Sequence, residues 1–178
     1  TVKQMLEQAA AKIDASLRGQ PLVQATLRLT IGNTFRALGK FAAAEPHLRT
    51  ALKLRKERLG EENLEVADAV TGLAALLDAQ GDYNAAEPLF REALRIRRKL
   101  LGDEHELIAE SLTNVGILLW RRGDLEDAEP LWREALAMRR KLLGDEHSLV
   151  ADSLSNLGAL LRNKGDIATA EQLCREAL

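Results

Sequence analysis

Two stretches decide the fold: GDYNAAEPLFREALRIRRKLLGDEH at residues 81–105 and GDLEDAEPLWREALAMRRKLLGDEH at residues 123–147. Laid over one another they are one unit repeated at an offset of 42 residues, and the same offset runs outward in both directions. Gly39, Gly81, Gly123 and Gly165 form a column, followed by Ala44, Ala86, Ala128 and Ala170 and then by Glu45, Glu87, Glu129 and Glu171. Ala51, Ala93, Ala135 and Ala177 make a third column, each member followed by Leu. Pro46, Pro88 and Pro130 align, with Gln172 breaking the series, and Gly60, Gly102 and Gly144 mark a second turn in each unit. Four copies without insertions exclude coincidence.

Between the glycine columns apolar residues recur at helical spacing, as in Leu112, Val115, Gly116 and Leu119 or Leu89, Phe90, Ala93 and Leu94. Each repeat is therefore a helix pair. Helix A is predicted over 22–38, 65–80, 107–122 and 149–164, and helix B over 41–59, 83–101, 125–143 and from 167 onward. Asp82, Asp124 and Asp166 stand where a side chain caps the amides that open helix B. Arg97, Arg98 and Lys99, with Arg139, Arg140 and Lys141, lie toward its carbonyl end, where cations suit the helix dipole. Leu6, Ala9, Ala10 and Leu17 precede Leu48, Ala51, Leu52 and Leu59 by the same 42 residues, so residues 1–18 read as a half repeat, a helix B without its helix A. Small residues at Gly32, Ala74, Gly116 and Gly158 and in the Ala44 and Ala51 columns let neighbouring helices approach to about 8–10 Å. Stacked pairs of this kind make a solenoid in which each repeat buries its face against its neighbours. The domain organisation expected is a single array over 1–178, with repeats at 22–60, 65–102, 107–144 and 149–178, the last one truncated. The chain starts at Thr1 and stops inside the pattern, so it reads as a piece of something longer, with apolar surface at its ends suited to end-to-end self-association.

The chain has 178 residues, 46% of them hydrophobic but only 3% aromatic, so Leu, Ala, Val and Ile supply the core. A formal net charge of −2 gives no global attraction to nucleic acid or to an anionic membrane, and neither is expected as a partner. The single cysteine cannot form an internal disulfide, which suits a reducing, cytoplasmic compartment. Arg and Lys interrupt every apolar stretch well before the ~18 residues a membrane span needs.

These columns resemble the tetratricopeptide repeat along the whole chain. Gly116, Leu119, Gly123, Ala128, Trp132 and Ala135 fall in that family's spacing, and Asn156-Leu157-Gly158, Glu87-Pro88-Leu89-Phe90 and Leu143-Gly144-Asp145-Glu146-His147 look like the lengthened repeats of kinesin light chains and their bacterial relatives. The connectors carry Glu106 and Ser148 where that pattern usually has proline, and the first unit ends Gly60-Glu61-Glu62-Asn63 without a histidine. The resemblance implies an all-α fold, a right-handed α-solenoid of antiparallel helix pairs, acting as a non-enzymatic scaffold for protein binding. Thr1-Val2-Lys3-Gln4-Met5-Leu6 and Gln20-Pro21-Leu22-Val23-Gln24-Ala25-Thr26-Leu27-Arg28 also look like the segment that opens the repeat region of some large bacterial serine/threonine kinases. In that setting the chain is a C-terminal sensing or docking arm, or a structural spacer. A HEAT-type array has a similar period but lacks the Gly, Ala and Ala-Leu columns.

Catalytic and metal chemistry find little support. His105 and His147 recur beside acids, yet the residue four positions after His105 is Ala109, so no second imidazole is placed for a zinc ion; a structural loop role is expected. His47 reads as a packing or surface residue. Cys174 shares a column with Leu48, Phe90 and Trp132 and is expected to be buried rather than nucleophilic. No phosphate loop, nucleophile elbow or kinase motif occurs, so no cofactor is expected. Glu45–Arg49, Glu87–Arg91, Glu129–Arg133 and Glu171–Arg175 are i,i+4 pairs on solvated faces. The basic stretches at Lys53-Leu54-Arg55-Lys56, Arg95-Ile96-Arg97-Arg98-Lys99 and Arg139-Arg140-Lys141 offer a stripe for nucleic acid, but no aromatics interleave and the helix-dipole reading is preferred.

The resemblance places the A helices along a concave groove. The residues one step round from the buried stripe are Asn33 and Arg36 in the first repeat and Thr71, Ala75 and Asp78 in the second. The third contributes Thr113, Asn114, Ile117, Trp120 and Arg121, and the fourth Asn156, Ala159, Arg162 and Asn163. Asn114 and Asn156 match asparagines that in the family resemble peptide-backbone clamps; Thr30 and Gly72 stand in the same column and cannot do the same. Because Leu112, Val115 and Leu119 already supply the buried stripe, Ile117 and Trp120 are either a pocket floor for a partner's apolar anchor or packing against a neighbouring A helix. Arg36, Arg121 and Arg162 are candidates to receive a carboxylate or phosphate.

Overall fold

The computed structural model describes residues 8, 11–13 and 16–177. Their regular structure is helical throughout: α1 (Pro21–Ala37), α2 (Phe41–Leu59), α3 (Leu64–Ala79), α4 (Tyr83–Leu101), α5 (Glu106–Arg122), α6 (Leu125–Leu143), α7 (Ser148–Lys164) and α8 (Ile167–Glu176). The predicted starts fall within one residue of these bounds, because both glycine columns are true helix stops. Gly123 follows α5 at φ 98° and accepts the left-handed turn that side-chain-bearing residues resist. The predicted half repeat lies mostly outside the described residues; residues 11–13 are helical, and Ile13 is buried beside Ile31 and Phe35.

The chain divides into two compact units, Thr1–Ile96 and Arg97–Leu178. In the first, Ile31, Phe35, Ala44, Leu48, Leu73 and Leu76 join α1, α2 and α3 into one core, and Val66, Val70, Ala93 and Ile96 form a second. A Cβ built on Gly72 would lie 2.9 Å from Leu29 Cδ1 and 3.4 Å from Leu48 Cδ2, so α3 reaches α1 and α2 only because that position is glycine. In the second unit Leu112, Val115, Leu119 and Trp132 are buried, with Leu154, Leu157 and Leu161 from α7. Trp132 Nε1 donates to the Thr113 carbonyl at 3.1 Å, and its ring lies over Gly116, where a Cβ would come within 2.3 Å of that nitrogen.

The connectors explain the repeated histidine. His105 Nδ1 accepts from the Leu107 amide at 3.1 Å and His147 Nδ1 from the Leu149 amide at 3.2 Å, each capping the helix that follows. Asn63, in the same column, does this for α3 through Oδ1 and the Glu65 amide at 2.8 Å. The expected loop role is thus a cap, and the first connector keeps it without a histidine. His105→Ala is expected to cost about 1 kcal/mol in a urea melt, while His105→Asn should stay within a few tenths of wild type; equal losses in both would refute the cap. At the other turn Asp82 caps Ala85 and Asp166 caps Thr169, as expected. Asp124 does not cap: Arg122 Nε takes its carboxylate instead.

The helix-dipole reading describes only part of the basic stretches. Arg55, Arg97 and Arg139 are buried, at 6%, 2% and 5% exposure, and each ties the end of a helix B to the helix A that follows. Arg55 Nη1 donates to the Glu65 carbonyl at 2.6 Å. Arg97 Nη1 donates to the Leu107 carbonyl at 3.1 Å and to Ser111 Oγ at 2.8 Å. Arg139 repeats this with Ser153 Oγ at 2.8 Å and adds Glu106 through Nε at 3.0 Å. Their neighbours are engaged as well: Lys56 with Glu92, Arg95 with Glu62, Arg98 with Glu134, Arg140 with Glu176 and Lys141 with Glu104. Arg98, Lys99, Arg140 and Lys141 do sit in the last turns, where the dipole favours them. The four i,i+4 pairs expected from the sequence all form.

Candidate functional site

The second unit holds most of the predicted groove. Thr113, Asn114, Ile117 and Trp120 on α5 and Asn156 on α7 are half-buried, and Arg121, Arg162 and Asn163 are exposed. Thr113 spends its hydroxyl on the Ala109 carbonyl of its own helix at 2.8 Å. Asn114 and Asn156 make no side-chain hydrogen bond among the described residues, although each is partly withdrawn from water. A carboxamide in that position keeps two donors and an acceptor for a ligand.

Trp120 packs on helix B of its own repeat rather than on a neighbouring A helix. Its ring packs on Trp132 of its own helix pair, centroids 6.4 Å apart and planes tilted by 42°, yet it remains partly exposed. Its Nε1 is enclosed without an acceptor, an N–H that gains if the ring turns toward a carbonyl. At the end of α7, Lys164 bonds Glu126 at 2.8 Å and Glu129 at 2.6 Å, closing the start of α6 against α7. The Lys164 hydrogen bond, with that of Arg133, holds the Glu129 carboxyl below the usual carboxylate range.

In the first unit Asn33 and Arg36 are half-buried on α1. Asn33 Oδ1 and Arg36 Nε are enclosed without a hydrogen bond, and Asn33 Oδ1 lies 3.5 Å from where a Gly72 Cβ would stand. His47 is a packing residue, stacked on Phe35 at 5.8 Å with Arg28 Nη1 3.1 Å from its Nδ1.

Cys174 is exposed, contrary to the expected burial. Leu48, in the same column, is covered by Leu73 and Leu76 of the next helix A, whereas among the described residues Cys174 meets Gly158 of α7. A cleft of about 350 Å³ opens there, lined by Ser155, Gly158, Ala159, Arg162, Ile167, Ala170, Glu171 and Cys174. Sequence reading missed the arginine ties. A signal for the ties existed in the recurrence of Arg with Ser fourteen residues on, at Arg97 and Ser111 and at Arg139 and Ser153. Among the described residues no cluster of His, Cys, Asp and Glu is arranged to hold a metal ion, and no helix is long and apolar enough to cross a membrane.

The profile of the tetratricopeptide repeat family matches residues 23–99, 72–140 and 107–178. No curated protein matches the chain. Among solved structures, BtubC (BKLC) from P. vanneervenii is similar at 25% identity and a TM-score of 0.83, over 98% of this chain and 70% of that one. A putative kinesin light chain with nearly identical TPR-like repeats from Podosopora anserina gives 21% identity and a TM-score of 0.78, over 98% and 82%. The apo form of RapI gives 19% and 0.80, over 98% of this chain and 48% of that one. All three share the fold, an α-solenoid of helix pairs. With repeat profiles covering most of its length, the chain belongs to the tetratricopeptide repeat family.

Proposed function

We propose that the chain is a protein-interaction module that holds an extended peptide of a partner along its A helices, with the second unit supplying the main contacts. The observation that carries this reading is the pair of unspent carboxamides, Asn114 and Asn156, standing in one column beside the half-buried Ile117 and Trp120. Each carboxamide has the donors and acceptor to pair with both the N–H and C=O of a strand-like backbone. Ile117 and Trp120 offer an apolar anchor site whose rim carries Arg121, Arg162 and Asn163; in the first unit the columns of Ile117 and Trp120 hold Asn33 and Arg36. Family membership supports binding over catalysis. The alternative, a spacer or self-association arm of a larger signalling protein such as a bacterial kinase, draws on the resemblance of residues 1–6 and 20–28 and on the apolar ends expected of the array.

The test is selection of extended peptides from a displayed library against the intact chain, followed by calorimetric titration. Selected sequences should share one apolar residue and diverge elsewhere. Trp120→Ala should cost about 1–3 kcal/mol of binding, and Asn114→Ala with Asn156→Ala should weaken all selected peptides alike. Because Trp120 packs on Trp132, its removal should also lower stability by about 1 kcal/mol. Binding that is unchanged in both variants would place the ligand elsewhere.

A further inference from the structure

The chain's two tryptophans lie against each other in the second unit, and their arrangement narrows what the groove can hold. Trp132 is 3% exposed, donates from Nε1 to the Thr113 carbonyl and covers Gly116 so closely that a methyl group there would collide with it. The space between α5 and α6 is therefore filled at this level, and no side chain of a ligand can enter between the helices. Trp120 lies on that filled floor, tilted by 42° against Trp132, with part of its surface open and Ile117 one turn earlier on the same helix. A ligand meets a platform here, on which a compact ring rests better than a long flexible side chain. In the columns of Ile117 and Trp120 the other repeats have Asn33 and Arg36, Ala75 and Asp78, and Ala159 and Arg162, so the platform occurs once.

The platform also asks for a hydrogen-bond acceptor. Trp120 Nε1 is enclosed without one, and an indole nitrogen can only donate. A half-turn about χ2, a torsion with two broad wells, brings the nitrogen edge outward and keeps the ring plane where it is. Few residues set an apolar ring beside a backbone carbonyl with no donor in between. Proline does: its nitrogen carries no hydrogen, and proline-rich segments dock on aromatic surfaces in this way. It also holds the preceding residue extended. An extended backbone of this kind makes no internal hydrogen bonds, so its neighbouring N–H and C=O groups stay available to the unspent carboxamides of Asn114 and Asn156. A leucine anchor brings its own N–H to satisfy and side-chain freedom to lose.

We propose that the groove of the second unit selects an extended peptide with one proline at its anchor position. The pyrrolidine ring lies on Trp120, and a carbonyl next to it accepts from the turned Nε1. This specificity rests on the extended-peptide reading of the same site and adds the residue class to it. One platform specifies one proline, so the residues on either side are free to vary.

The probes are two displayed libraries of random nonapeptides, identical except that the central residue is fixed as proline in one and as leucine in the other, both panned against the intact chain. The proline library should be enriched about tenfold or more over the leucine library, the size expected of one hydrogen bond and a docked ring. The best-enriched proline peptide should lose about tenfold in affinity when leucine replaces its proline. In Trp120→Phe, which keeps an aromatic ring but has no N–H, that difference should fall below about threefold, with a circular dichroism melt showing the fold retained. In a chain labelled with fluorotryptophan, the fluorine resonance that disappears in Trp120→Phe should move on saturation with the peptide. Equal or greater enrichment of the leucine library would overturn the proline assignment and leave the extended-peptide reading standing, whereas no enrichment of either would overturn both. An unmoved Trp120 resonance, or a preference untouched by Trp120→Phe, would also overturn the assignment, by placing the proline away from the indole.

Discussion

Arg97→Ala is expected to remove about 2–4 kcal/mol of stability from the second unit, more than any other change to a charged residue. The guanidinium is 2% exposed and donates to the Leu107 carbonyl and to Ser111 Oγ, while Glu110 stands 3.6 Å away. Hydrogen bonds from a charged donor contribute about 1.5–3 kcal/mol each when buried, and the lost stem leaves space that a helix junction cannot fully close. Glu110 is 43% exposed and rehydrates, so the loss stays below that of a fully enclosed pair. Arg97→Lys should recover little, because the shorter side chain sets its ammonium short of the point where Nη1 meets both acceptors, and that ion is the more strongly hydrated of the two. Arg97→Met should recover at least half, since a long apolar stem restores packing without a charge to desolvate. Urea melts followed through Trp120 and Trp132, both in this unit, read the effect directly. A loss below about 1 kcal/mol for Arg97→Ala, or full rescue by Lys, would show that the residue is held by its charge alone.

The reason this column was missed in the sequence is also the reason the rest was legible. Helix boundaries follow from local chemistry that each repeat states afresh: a glycine that accepts positive φ, an Asn or His that caps, a stripe of Leu and Ala. Periodicity multiplies such signals. Arg97 sits among Arg95, Arg98 and Lys99, and a basic run at the end of a helix has a sufficient local explanation in the dipole. Only the following repeat shows that one arginine of the run turns inward to meet Ser111. Cys174 failed for the converse reason. Column burial was extrapolated from Leu48, whose burial depends on Leu73 and Leu76 from the next helix rather than on its own. Asp124 was lost to a competitor two residues away, Arg122, which neither Asp82 nor Asp166 has: the corresponding residues are Gln80 and Lys164. In the candidate groove the residue types were readable, but which side chains keep their hydrogen-bonding groups unspent was not. Thr113 binds its own helix and Asn114 does not, a distinction set by the geometry of a hydroxyl one turn from a carbonyl.

Gly116 and Gly158 occupy one column, and the same substitution should move them in opposite directions. Alanine in place of a mid-helix glycine gains about 1 kcal/mol from helix propensity if the methyl group fits. At Gly158 the new Cβ would lie 3.1 Å from Cys174 Sγ, a small exposed side chain free to swing away. Gly158→Ala should therefore stabilise the chain by up to about 1 kcal/mol. At Gly116 the Cβ would lie 2.3 Å from Trp132 Nε1 and 2.5 Å from Cδ1. That ring is 3% exposed, bonded to the Thr113 carbonyl and tilted against Trp120, so it cannot yield without losing both contacts. Overpacking of this kind costs about 1–3 kcal/mol and sometimes more, and the lost indole bond adds about 1 kcal/mol. The net expectation for Gly116→Ala is a loss of about 1–3 kcal/mol. Pairing it with Trp132→Cys copies the fourth repeat, where glycine faces Cys174. On that background Gly116→Ala should become neutral or stabilising even though Trp132→Cys is itself costly. A double-mutant cycle in urea gives the coupling: about 2 kcal/mol or more in the stated sense is expected, and additivity of the two changes would mean that the indole does not set the identity of residue 116.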